Sequence, residues 1–146
     1  MSATDAFETS LLGLIITNVD AANVGDAAGL QNSASAGVFW ISLHTASPGE
    51  AGNQGTSETV YTNYARQDEA RDTTQWTVTG NTADNDNPIG FPTCGASGAT
   101  LTDFGLGSDT SGAGNLFLFG ALAASLIVSS GITPSFAAGA LDITLD

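Results

Sequence analysis

Val38-Phe39-Trp40-Ile41-Ser42-Leu43-His44 is where the hydrophobic period of the chain changes from 3.6 residues to 2. Phe39, Ile41 and Leu43 alternate with Trp40, Ser42 and His44, which gives one extended strand two differently lined faces. Upstream, Phe7, Leu11, Leu14 and Ile15 recur at helical spacing. They follow Thr4, a candidate hydroxyl cap, and Asp5 and Glu8, acids that favour the positive end of a helix dipole. Leu12 and Ile16 widen that stripe, so the helix is expected to pack on its own domain and also to meet a neighbour. Residues 19–37, rich in Ala, Asn, Gly and Ser without a period, read as a long connection that is either held or mobile.

Downstream, further strands are expected over 58–64, 75–79, 88–91, 100–106, 115–120, 122–129 and 140–145, each bounded by turn chemistry. Asp109 to Gly114 and Ser129-Ser130-Gly131 read as turns. Leu141, Ile143 and Leu145 alternate with Asp142 and Thr144, so the last strand has one buried and one wet face. The expected fold is mainly β, an antiparallel β-sandwich or barrel-like domain with one N-terminal α-helix. A single domain covers 1–146, with the helix in 1–20, the connection in 21–37 and the β domain in 38–146.

The 146 residues carry two cations, Arg66 and Arg71, against 15 acids, for a formal net charge of −13. Hydrophobic residues make up 42%, enough for a core, and charged residues only 12%, so the acidity reflects missing cations. Nucleic acid and anionic membranes are therefore poor partners. The N-terminus lacks the basic region of a secretory signal, and the longest apolar stretch, 116–128, is interrupted by Gly120 and Ser125 and too short to span a bilayer. The chain is expected to be soluble.

His44 is the only histidine. A general base needs a nucleophile and an orienting acid beside it, and no such motif surrounds it, so it reads as an ordinary half-buried residue. Cys94 reads as a small buried hydrophobe; alone, it forms no internal disulfide and supports no multi-cysteine zinc site. Asp84-Asn85-Asp86-Asn87 gathers oxygen ligands suited to calcium, yet lacks the glycine and distal glutamate of an EF-hand loop and reads as a turn. No catalytic residue, metal or cofactor is expected. Gln67-Asp68-Glu69-Ala70, between the two arginines, allows local ion pairs of about 0–1 kcal/mol if exposed. Phe117 and Phe119 share one face of a strand and Leu116 and Leu118 the other; such a strand is buried on both sides, in its own core or between subunits. Leu12, Ile16, Phe117 and Phe119 are the interface candidates.

Several separated blocks occur in a characteristic order. They are the N-terminal amphipathic helix, 39–50 (FWISLHTASPGE), Tyr64-Ala65-Arg66, Trp76-Thr77-Val78, Phe91-Pro92, 102–106 (TDFGL) and 135–146 (SFAAGALDITLD). This order resembles a family of small virion structural proteins of tailed bacteriophages, labelled capsid decoration (cement) proteins or tail fibre proteins. Residues 67–71 depart from it, since many relatives have an alternating apolar strand there; here that strand reads as an edge strand, or as one whose charged residues face another subunit or solvent. The resemblance implies a homo-oligomer, a trimer being favoured, and a place in the virion. The first reading is a decoration protein on the capsid exterior, contacting major capsid protein subunits and stabilising the head from outside. The alternative is a tail fibre or host-contact component.

Overall fold

The computed structural model describes residues 2–145; Met1 and Asp146, the ends of the expected 1–146 domain, lie outside the described residues. The chain is mainly β, with antiparallel sheets and one N-terminal helix. Helix α1 (Asp5–Thr17) is followed by β1 (Val38–His44), β2 (Gln67–Ala70), β3 (Trp76–Thr79), β4 (Thr82–Asn85), β5 (Ile89–Gly90), β6 (Ala99–Gly107), β7 (Leu116–Val128), β8 (Ser135–Phe136) and β9 (Asp142–Thr144). The described residues gather into two compact units, one from 2–37, 70–88 and 136–145, the other from 38–69 and 89–135.

In the first unit, α1 packs on the sheet β3-β4-β9. Thr4 is the N-cap, but its hydroxyl makes no capping bond; its carbonyl accepts from the Phe7 and Glu8 amides at 2.8 and 2.9 Å. The buried row is Glu8, Leu12 and Ile16, four residues apart. Phe7 and Ile15 are exposed and Leu11 and Leu14 half-buried, so the two apolar rows exchange places relative to the sequence expectation. Leu12 and Ile16 are as apolar as Phe7 and Ile15, and periodicity alone cannot choose which pair meets the sheet, here in a row that also buries Glu8.

The connection after α1 is held. Asp20 Oδ1 accepts from the Asn32 amide at 2.7 Å, and Asn18 Oδ1 from the Ser33 amide at 2.9 Å. Arg71 donates to the carbonyls of Leu14 and Ala36 at 2.9 and 2.8 Å and to Ser33 Oγ at 2.9 Å, setting a cation against the helix's C-terminal carbonyls. In the sheet, Gly80-Asn81 is a two-residue hairpin loop between Thr79 and Thr82, with Gly80 at φ +60°. This corrects the reading of 84–87 as a turn, because Asp84 and Asn85 lie within β4. Asn85, buried, accepts from the Ala140 and Leu141 amides at 3.1 and 2.8 Å and donates to the Asn87 and Ala137 carbonyls at 2.7 and 2.8 Å.

The second unit holds the sheet β2-β1-β6-β7. Ile41, Leu106 and Leu118 stand opposite one another across three strands, as do Ser42, Gly105 and Phe119. From Ile41 onward β1 is buried on both faces. Gly107 leaves room for Gln54, whose Cδ would lie 2.1 Å from any Cβ there. Gln54 in turn donates to the Trp40 carbonyl and accepts from the Asp109 amide, each at 3.0 Å.

β2 is an edge strand, as its charges suggested. β7 is the other edge, and its pairing with β6 jumps from Asp103↔Ala121 to Leu101↔Leu126. Residues 122–125 therefore bulge opposite Thr102 and join what the sequence divides into two strands. Residues 58–64 form no strand. Ser57 and Asn63 take positive φ (56° and 77°), and only Glu58 forms a bridge, to His44.

Candidate functional site

The irregular path of 58–66 builds the most polar cluster of the second unit. Arg66 donates from Nε to Glu58 Oε1 at 2.6 Å and from Nη2 to Glu58 Oε2 at 2.7 Å, a two-pronged ion pair whose arginine side chain is 1% exposed. Its remaining donors reach the carbonyls of Asp109 and Gly112 at 2.7 and 2.6 Å, tying this loop to the β6–β7 turn. Tyr64 Oη donates to Glu58 Oε1 at 2.9 Å and accepts from the Leu43 amide at 3.0 Å. Burial first, then the Glu58 carboxylate, push the Tyr64 phenol far above its ordinary range, so it stays a neutral donor. An open groove of about 540 Å³ runs beside this cluster, past Val60, Tyr61, Thr62, Asn63 and Ser111. The sequence expectation paired the arginines locally with Asp68 and Glu69. The structure corrects this: Arg66 pairs eight residues upstream in a buried setting, and Arg71 serves the helix end.

His44 and Ser42 approach each other as a general base and a nucleophile would. Ser42 Oγ lies 2.9 Å from His44 Nε2, and Asp103 stands opposite His44 in the β1–β6 register. Two features separate this from a catalytic triad. His44 Nδ1 lies 2.9 Å from the Thr56 carbonyl, which can only accept, so the ring is oriented by backbone and not by Asp103. Ser42 and His44 are both 0% exposed, and burial lowers the imidazole pKa, leaving a neutral ring. His44 is thus fully buried where the sequence suggested half-burial. Cys94 is buried, its thiol 3.4 Å from the Ser97 carbonyl.

Asp84 stands directly opposite Asp142 across β4 and β9. Among the described residues no group of three or more His, Cys, Asp or Glu is placed to hold a metal ion.

Of the four interface candidates, Leu12 and Ile16 lie inside the chain, at 3% and 0% exposure. Phe117 and Phe119 lie outside, at 53% and 39%, on an edge strand and not in a two-sided core. Phe117 meets Phe39 edge to face at 6.2 Å.

Over residues 15–144 the sequence matches the family described as "Podophage GP4 fiber I protein gp80". The chain belongs to this family. The match to the podophage fiber family takes in every described strand and the last turn of α1. As a member of it, the chain is a phage virion structural protein. No curated protein matches the chain.

In this podophage fiber family member, the residues that sequence reasoning missed are Glu58 as the partner of Arg66, and Asn85 and Gln54 as buried fasteners. The scarcity of cations was the available signal. With two arginines for 15 acids, each arginine has carboxylates to choose from well beyond its own strand.

Proposed function

We propose that the chain is a fibre component of the phage tail, in the apparatus that contacts the host, and not a capsid decoration protein. The match to a family named for a fiber protein, over residues 15–144, carries this reading. It favours the tail alternative over the head decoration expected first. The role is structural and needs no turnover. The burial of Ser42, His44 and Cys94 supports that, since a substrate has no path to any of them. Its partners are other virion proteins, including copies of itself. The −13 charge argues against DNA as a partner, and among the described residues no helix is long and apolar enough to cross a membrane.

A density map of the intact virion, with the copy number measured by quantitative mass spectrometry, tests the proposal. The expected result is a few copies attached at the tail. Many copies spread over the head shell would return the chain to the decoration reading.

A further inference from the structure

Sheet edges are usually blunted by charge, proline or a bulge. In the sheet β3-β4-β9, the edge strand β9 carries Asp142, while β3 carries no charge, proline or bulge. The hydrogen bonds around β3 fix which of its backbone groups face the open side. Thr79 and Thr82 flank a two-residue loop, the hydrogen-bonded position of such a hairpin, and the Gln75 carbonyl accepts from the Asp86 amide at 2.8 Å. Because these groups alternate along a strand, Thr77 also turns to β4, while Trp76 and Val78 turn away. Two bonds agree with that alternation: the Trp76 amide donates to the Asp72 carbonyl at 3.1 Å, and the carbonyl of Asn85, opposite Trp76, accepts from the Gly139 amide on the β9 side. The amide and carbonyl of Val78 are left at the open edge, and among the described residues neither has a partner there.

A groove of about 440 Å³ runs along this edge, with Thr9, Gly13 and Asp20 on one wall and Trp76 and Val78 on the other. Gly13 keeps it wide, since the nearest atoms to a Cβ built there are Val19 Cβ at 3.9 Å and Thr17 Oγ1 at 4.0 Å. Charge selects the occupant. Asp20 is exposed, and Oδ1 of its carboxylate accepts from the Asn32 amide, so Oδ2 remains for the groove. The described residues of this unit hold eight acids against Arg71 alone, whose fork is spent on the end of α1. A segment entering the groove therefore gains by bringing a cation. A second copy has no side-chain cation to give: the chain lacks lysine, Arg66 is sealed against Glu58, and Arg71 is held by its own helix.

We infer that the open edge of β3 receives an extended, lysine- or arginine-bearing segment of a different protein. The segment adds a strand beside Val78, lays its side chains along the groove and sets its cation on Asp20. Main-chain bonds supply the hold, and the groove and the carboxylate supply the selection.

Amide hydrogen exchange of the full chain, followed by NMR with synthetic peptides, tests this independently of where the protein sits in the virion. The probes are capped eight-residue peptides alternating threonine with valine or serine, carrying one lysine at either end, and the same peptides with glutamate in place of lysine. At millimolar concentration a lysine peptide should slow exchange of the Val78 amide at least tenfold, and the glutamate peptides should leave it unchanged. Asp20→Asn, which keeps the acceptor for Asn32, should weaken lysine-peptide binding at least fivefold. Gly13→Leu, which fills the groove, should abolish the protection without lowering the melting temperature. A Val78 amide already protected in the free chain, no protection by any lysine peptide, equal protection by the glutamate peptides, unchanged affinity in Asp20→Asn, or protection that survives Gly13→Leu would overturn the inference.

Discussion

Arg66 meets Glu58 with both edges of its fork and uses its other donors on the β6–β7 turn, so one side chain joins three stretches of the second unit. Removing one partner of a buried pair leaves the other charge without compensation, which costs about 3–5 kcal/mol. Glu58 retains some exposure and the lower end applies. Arg66→Ala should therefore destabilise the chain by about 3 kcal/mol in urea unfolding. Arg66→Lys should recover only part of this, because an ammonium cannot span both carboxylate oxygens. A loss below about 1 kcal/mol for Arg66→Ala, the range of an exposed pair, would contradict the buried geometry. None of this was legible in residues 66–71. Arg66 finds Glu58 only because 58–64 abandons the extended path that its composition suggests, and that path depends on Ser57 and Asn63 adopting positive φ.

At the level of elements, the β4–β9 pairing holds a local conflict. Asp84 and Asp142 face each other in register, and like charges directly opposite destabilise a sheet by up to about 1 kcal/mol. A hydrogen bond with Asp142 foremost, then desolvation and the Asp142 and Asp86 charges, raise the Asp84 pKa above 3.8. The folded state thus holds the proton more tightly than the unfolded chain. The resulting stabilisation is fully present below about pH 3.8 and is lost as pH rises through the folded value. Asp84→Asn should accordingly raise stability at pH 7 by about 0.2–1 kcal/mol and change little at pH 3.5. Thermal melts at the two pH values measure this, and an equal gain at both would refute the ionic explanation. β1 was legible because strict alternation has one reading, and α1 because its spacing does. The buried row of α1 was not, since Leu12 and Ile16 compete with Phe7 and Ile15 on equal hydrophobic terms. β4 was hidden because Asp and Asn are turn formers in isolation, and the pairing of Asn85 with the 137–141 backbone appears only in the folded chain.

For the whole molecule, composition separated what charge could and could not do. The acidity argued against nucleic acid from the sequence alone, while head or tail placement left no mark in composition or period, and the tail placement proposed above rests on the family's description. Copies of the chain carry −13 each, so wherever they associate, long-range repulsion is opposed by short-range contact. The Debye length is about 30 Å at 0.01 M salt and about 8 Å at 0.15 M, so association should strengthen as salt rises across that range, read by sedimentation. Dissociation with rising salt would assign the contact to ion pairs instead. Cys94, sealed inside with 2% exposure, has a practical consequence. The native surface offers no reactive sulfur among the described residues, so a cysteine introduced at Ile127, a position 72% exposed, would be the chain's only accessible handle for a maleimide spin label or fluorophore. Distances between such probes on neighbouring copies could then be read in wild-type background, without first engineering a thiol away.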